Sequence, residues 1–204
     1  MTVQQRLIRL MTVLAVHLPG SWRLLRGRMR ANFDALAPEW DATRAGGHRL
    51  LPVGAALDAV PSVPARVLDL GTGTGVVARL ASERWPEAEV IGVDLSPRMI
   101  EEARRLATSD RQRYEVADST ALPFPDAHFD AVVMNNMIPF FDEIARVAAP
   151  GAHVVVSYAL GPKTPIYVPL SRVRSELERR GLVHLRNVEA GIGEALLALR
   201  PAES

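Results

Sequence analysis

Three acidic residues stand where an apolar run gives way to a turn: Asp69 in "RVLDLGTGTG", Asp94 in "VIGVDLSP" and Asp118 in "EVADST". After Asp69 come Gly71, Gly73 and Gly75 at alternate positions, with Thr72 between the first two. Glycine accepts backbone conformations closed to other residues and lets a ligand approach the main chain. The spacing is G-x-G-x-G rather than G-x-G-x-x-G, and Val76 stands where a dinucleotide loop has its third glycine. A carboxylate at Asp69 is a poor neighbour for a pyrophosphate and a good one for a cationic amino group. The plainer alternative is a tight strand-to-helix turn that uses glycine for packing alone.

Asp94 lies nineteen residues beyond Gly75, at the end of an apolar run. At the tip of a neighbouring strand, one carboxylate can accept both hydroxyls of a ribose, and such charged hydrogen bonds contribute roughly 1.5–3 kcal/mol each. Its other reading is a cap for the helix opening at Pro97, although Ser96 already suits that role. Asp118 could accept from an adenine amino group, or be a solvated turn residue ahead of the stiff "LPFP" segment.

The elements that must position these residues alternate along the chain. Strands are predicted over Arg66–Leu70, Glu89–Val93, Arg113–Val116, Phe129–Met134, His153–Tyr158, Val183–Val188 and Glu194–Arg200. Between them, "VVARLASERW", "PRMIEEARRLA", "FFDEIARVAAPG" and "PLSRVRSELERRG" repeat apolar residues at helical spacing, the third running up to Pro150-Gly151. Short apolar strands alternating with such helices make a doubly wound, mostly parallel seven-stranded sheet with helices on both faces. Only "AGIG" separates the last two strands, so the final one is expected to run antiparallel.

Composition bounds the classes. A chain of 204 residues with 48% hydrophobic content and net charge +1 is a globular domain, not a whole-surface nucleic-acid binder. It has no cysteine, hence no disulfide framework, thiolate metal site or cysteine nucleophile. The leader is different: before Asp34 there are six arginines (Arg6, Arg9, Arg23, Arg26, Arg28 and Arg30) and no acid, with the apolar run Leu10–Leu18 between them. That run is short of the about 20 residues that span a bilayer. It leaves three readings: a helix packed on the domain, a helix lying on a membrane surface, or an export signal whose cleavage site is missing. Residues 1–45 are read as a basic helical extension or lid and 46–204 as the ligand-binding domain.

"VLDLGTGTG", "VIGVDLSPRMIEEAR", "ADSTALPFPDAHFDAVV" and "EIARVAAPGAHVVVS" together resemble the successive motifs of class I S-adenosylmethionine-dependent methyltransferases. The ubiquinone/menaquinone-biosynthesis subgroup is the nearest in pattern, and "FDALAPEWD" resembles the segment preceding its core. The resemblance implies a Rossmann-like fold, S-adenosyl-L-methionine as cofactor and methyl transfer to a small acceptor. It implies that Asp69, Gly71 and Gly73 hold the methionine end, with Thr72 and Gly75 shaping the loop. Asp94 would take the ribose, Leu95 or Met99 flank the adenine, Asp118 its amino group and the Ser119 backbone a ring nitrogen. Asn135 would lie beside the sulfonium. Pro150-Gly151-Ala152 departs from the usual Pro-Gly-Gly, and the leader is not part of the shared core.

Methyl transfer needs few catalytic side chains, because the cofactor brings the activated group and the protein aligns the acceptor. No general base is assigned; Tyr158 and Asn135 are the candidates beside the reacting centre. His17, His48, His128, His153 and His184 read as structural. Phe33, Trp40, Met137, Ile138, Phe140, Phe141, Tyr158 and Tyr167 are expected to line an apolar acceptor pocket. "NNMIPFF" replaces the Asn/Asp-Pro-Pro-aromatic motif of adenine-amino methylation, so a nucleic-acid substrate is not expected, nor is a metal. The expected setting is the cytoplasm, as monomer or homodimer. Two alternatives stand: methylation of a lipid-like acceptor at a membrane contacted through the leader, and a non-catalytic partner-binding role for the fold.

Overall fold

A computed structural model describes residues 2–44 and 47–202. Seven strands, β1 (Arg66–Leu70), β2 (Glu89–Asp94), β3 (Gln112–Val116), β4 (Phe129–Asn135), β5 (Ala148–Tyr158), β6 (Val183–Ala190) and β7 (Gly193–Leu199), form one sheet. Their order is β3-β2-β1-β4-β5-β7-β6. All pairings are parallel except those of β7, which runs antiparallel to β5 and β6. The connection from β6 to β7 is Gly191-Ile192, too short for a crossover.

The central strands are buried on both faces, which is why they read as unbroken apolar runs. Leu68, Leu70, Val132, Met134, Val154 and Val156 point to one core. Val67, Ala131, Val133 and Val155, at the alternate positions, point to the other. Helices α4 (Leu51–Asp58), α5 (Val76–Arg84) and α6 (Pro97–Arg105) cover the second core, through residues such as Leu57, Ala78 and Ile100. Helices α7 (Phe141–Val147) and α8 (Leu170–Glu178) cover the first, through Ile144, Val173 and Leu177.

One expected boundary is corrected. The helix ending near Pro150-Gly151 stops at Val147, and β5 begins at Ala148 rather than His153. Ala148 pairs with Phe129, the register then shifts, and Gly151 takes φ +83° to carry the bulge. The Arg200 guanidinium donates to the carbonyls of Ala145 and Ala148 and so terminates α7.

Upstream of the sheet lie α1 (Val3–His17), α2 (Trp22–Leu36) and α3 (Trp40–Arg44). The capping box at Thr2 and Gln5 starts α1. Its inner face, Ile8, Met11 and Ala15, packs with Trp22 and Met29 of α2 against Ile138 and Ile166. Arg9 fastens α1 to the segment after β5 by donating to the carbonyls of Pro162 and Thr164, at 2.6 and 2.7 Å. The boundary placed between residues 45 and 46 lies outside the described residues.

Candidate active site

Strand order reverses between β1 and β4, and ligands of such sheets bind at the carboxyl ends of the strands flanking that point. The glycine loop closes the end of β1. Gly71, Gly73 and Gly75 take φ of +68°, +55° and +81°. The amides of Gly71 and Thr72 both donate to the Val93 carbonyl at 2.9 Å, which ties the loop to β2. Gly75 is the left-handed N-cap of α5, and a Cβ there would come within 2.7 Å of the Tyr114 hydroxyl. Gly71 is equally constrained, by Met137 at 2.8 Å.

Asp69 is buried below the loop, where it accepts from the Thr72 hydroxyl at 2.6 Å. Burial pushes its carboxyl up to about 7. Asp94, at the tip of β2, accepts from the Ser96 amide at 2.8 Å through one oxygen and from the Gly73 amide at 3.0 Å through the other. Burial raises it to about 6, against those two hydrogen bonds. Ser96 caps α6 by accepting from the Met99 amide at 3.1 Å.

Between these groups lies a cavity of about 460 Å³, within the range of ligand pockets, roughly 300–1,000 Å³. Of the expected cofactor contacts, Asp69, Gly71, Thr72, Gly73, Asp94, Leu95, Met99, Ser119 and Asn135 line it. So do Phe33, Trp40, Met137, Ile138 and Phe140 of the expected acceptor pocket. Asn135 ends β4 with its side-chain carbonyl oxygen buried and without a hydrogen-bond partner. The charged residues among the described lining are Asp69, Asp94 and Arg49, and no histidine lines it.

Five expected site residues lie elsewhere. Phe141 and Tyr158 are buried in the core beneath α7 and α8, and Tyr167 packs on that core edge to face with Tyr158, ring centroids 5.0 Å apart. The alternation of β5 sends Tyr158 inward with Val154 and Val156, so it faces away from the crevice. Asp118 is turned to the leader: it accepts from the Trp22 indole at 2.9 Å and from Arg26 at 3.0 Å, as well as from the Thr120 amide and hydroxyl. Those donors hold its carboxyl below the usual range despite burial. The residue expected to meet the adenine amino group thus meets two side chains of α2 and does not line the cavity. Gly75 shapes the loop without lining the cavity.

The sequence reading missed the roof. Trp22 and Met29 of α2 and Thr2, Gln4, Gln5 and Ile8 of the α1 end line the cavity from above. Asp41 of α3 accepts from the Thr74 hydroxyl and from Arg79 at 2.9 Å, clamping that roof to the glycine loop. Also missed was Gly92 in β2, where a Cβ would meet the Thr72 hydroxyl at 2.6 Å and the Tyr114 ring at 2.7 Å. A glycine inside an apolar strand was the available signal for that close approach.

A methyltransferase domain profile matches residues 67–154. The demethylmenaquinone methyltransferase of Thermus thermophilus is 41% identical over 141 residues, 61% of this chain and 62% of that protein. Over this stretch the chain is similar to methyltransferases in sequence. A malonyl-[acyl-carrier protein] O-methyltransferase of Halorhodospira halophila is 38% identical over 159 residues, 72% of this chain and 52% of that protein. The chain thus spans about half to three-fifths of the length of the curated relatives it matches. In fold, it superposes on a SAM-dependent methyltransferase from Aquifex aeolicus with TM-score 0.64 at 21% identity, covering 84% of this chain and 98% of that one. The stretch matched by the methyltransferase domain contains the glycine loop, Asp94 and β4 of the cavity.

Proposed function

We propose that this protein transfers a methyl group from S-adenosylmethionine to a small acceptor with an apolar or aromatic body. The observation that carries this reading is the cavity's charge: two carboxylates against one arginine, with the unpartnered carbonyl oxygen of Asn135, favour a cationic guest. The cofactor supplies a methyl group already activated on a positively charged sulfur. In this reading Asp69, with Gly71 and Gly73, holds the amino-acid end, and Asp94 accepts the ribose hydroxyls. Leu95 and Met99 flank the base, and the Asn135 oxygen faces the developing charge around sulfur.

The acceptor would lie against Met29, Phe33, Ile138, Phe140 and Ile166, which line the rest of the cavity. Alignment behind the methyl and exclusion of water by the helical roof are the protein's contribution, which can amount to several powers of ten in rate. Residues 2–44 thus serve as the lid, held down through Asp41–Arg79 and Trp22/Arg26–Asp118. Among the described lining residues the carboxylates are Asp69 and Asp94, which this reading assigns to the cofactor, so it takes the acceptor atom to be nucleophilic as it binds. Relatives are named for demethylmenaquinone and malonyl-[acyl-carrier protein]. The aromatic wall favours a ring-bearing acceptor of the first kind.

The test is incubation with isotopically methyl-labelled S-adenosylmethionine and reduced demethylnaphthoquinones, then mass analysis. Label in the quinone ring is expected. Tight cofactor binding with no label in any quinone, but label in a carboxylate-bearing metabolite of a cell extract, would overturn the acceptor class.

A further inference from the structure

The outer face of α1 is the least explained surface of the molecule. Val3, Leu7, Leu10 and Val13, spaced by four, three and three residues, form one stripe along it, with Val3 85% exposed and Leu10 55% exposed. Leu18 at the end of α1 and Leu24 on α2 add to the exposed aliphatic surface, the latter at 86%. The opposite face of the same helix is used for packing, through Ile8, Met11 and Ala15. A helix that buries one face and bares aliphatic residues on the other has a partner to meet there.

Charge says which partner. Among the described residues before Asp34 there are six arginines and no acid. Arg9, Arg26 and Arg30 are engaged by backbone carbonyls, Asp118 and Asp34 respectively. Arg6, Arg23 and Arg28 are exposed and form no ion pair among the described residues. A second copy would bring like charges together, and a protein-interface core would be richer in aromatic side chains. Exposed aliphatic residues on a segment that also carries three exposed arginines without ion pairs match an anionic bilayer surface. None of the described helices is long and apolar enough to cross a membrane, so α1 would lie in the interface plane.

We infer that α1, with the flanking start of α2, is a docking surface for an anionic lipid membrane. Thr2, Gln4, Gln5 and Ile8 of the same helix line the cavity, so a docked bilayer lies about one helix diameter, roughly 10 Å, from the site. The docking stands on exposure and charge alone and does not depend on the methyl-transfer reading.

Flotation of the full chain with vesicles tests it, comparing phosphatidylcholine alone with the same lipid containing phosphatidylglycerol. The protein is expected to float with the anionic vesicles only, and to be released as salt rises. Leu7→Asp with Leu10→Asp, or Arg6→Glu with Arg23→Glu and Arg28→Glu, should each lower the bound fraction at least about tenfold. Circular dichroism and S-adenosylhomocysteine binding must stay unchanged, since none of these side chains lines the cavity. Absence of flotation by the folded protein overturns the inference. So does equal flotation of the variants, or a concentration-dependent dimer that Leu7→Asp with Leu10→Asp abolishes, which would assign the face to a second copy.

Discussion

Two acidic residues at adjacent strand tips, Asp94 and Asp118, look alike in sequence and are held in opposite ways. Around Asp94 the contacts are local and made by main chain: the Ser96 amide two residues on, and the Gly73 amide of the loop on the neighbouring strand. Around Asp118 two of the donors are the side chains of Trp22 and Arg26, more than ninety residues earlier. The first carboxylate opens onto the cavity, whereas the second fastens α2 to the end of β3. A strand-tip acid is thus assigned by what already donates to it, and only the main-chain part of that is written nearby in the sequence.

The sharpest way to break this contrast is to disturb the loop that aims the Gly73 amide at Asp94. Gly75→Val forces a branched side chain into φ +81° and against Tyr114. Left-handed strain and overpacking together cost about 2–5 kcal/mol. Urea denaturation should show that loss, along with loss of cofactor binding. Asp94→Ala comes next. Removing one or two charged hydrogen bonds should weaken S-adenosylhomocysteine binding by roughly 10- to 100-fold while the fold persists.

The pH dependence sharpens the same point. The carboxyls of Asp94 and Asp69 are raised from 3.8 to about 6 and about 7 in the fold. The folded state therefore binds more protons than the unfolded one between those values. Their contribution to stability falls as pH rises from about 4 and is fully lost above about 7. Cofactor binding runs the other way, because the ionised carboxylate is the better acceptor. Calorimetric affinity should decline as pH drops through about 6, and Asp94→Asn should flatten that decline. A smaller effect is expected at Asn135: Asn135→Ala should lower single-turnover methyl transfer about tenfold with cofactor affinity nearly unchanged. Smallest of all, Asp118→Asn removes a half-exposed ion pair worth less than about 1 kcal/mol and should leave cofactor affinity within a few-fold.

Legibility followed the same division. All seven strands were readable because apolar period and turn residues are local signals, and β7's direction followed from a connection of Gly191-Ile192. The start of β5 was not, since it depends on Phe129 pairing with Ala148 and on Arg200 closing α7. In the site, the glycine loop was legible because its left-handed backbone favours glycine, and Asp94 because it ends an apolar run at the tip of β2. Tyr158, Tyr167 and Phe141 were misplaced because an aromatic at a strand end or helix start has two faces to choose from, and sequence does not say which is buried. The roof of Trp22, Met29 and Ile8 was unreadable for a related reason: its inner face becomes visible only once Ile138 and Ile166 are known to meet it.

The central claim is that the crevice between the glycine loop and Asp94 is the cofactor site, with Asp118 outside it. Titration calorimetry with S-adenosylhomocysteine on the wild type, Asp94→Ala and Asp118→Asn tests this most directly. Micromolar-range binding that falls at least about tenfold in Asp94→Ala and stays within a few-fold in Asp118→Asn is the predicted result. Folded wild-type protein that gives no heat, or a loss at Asp118 greater than at Asp94, would contradict it.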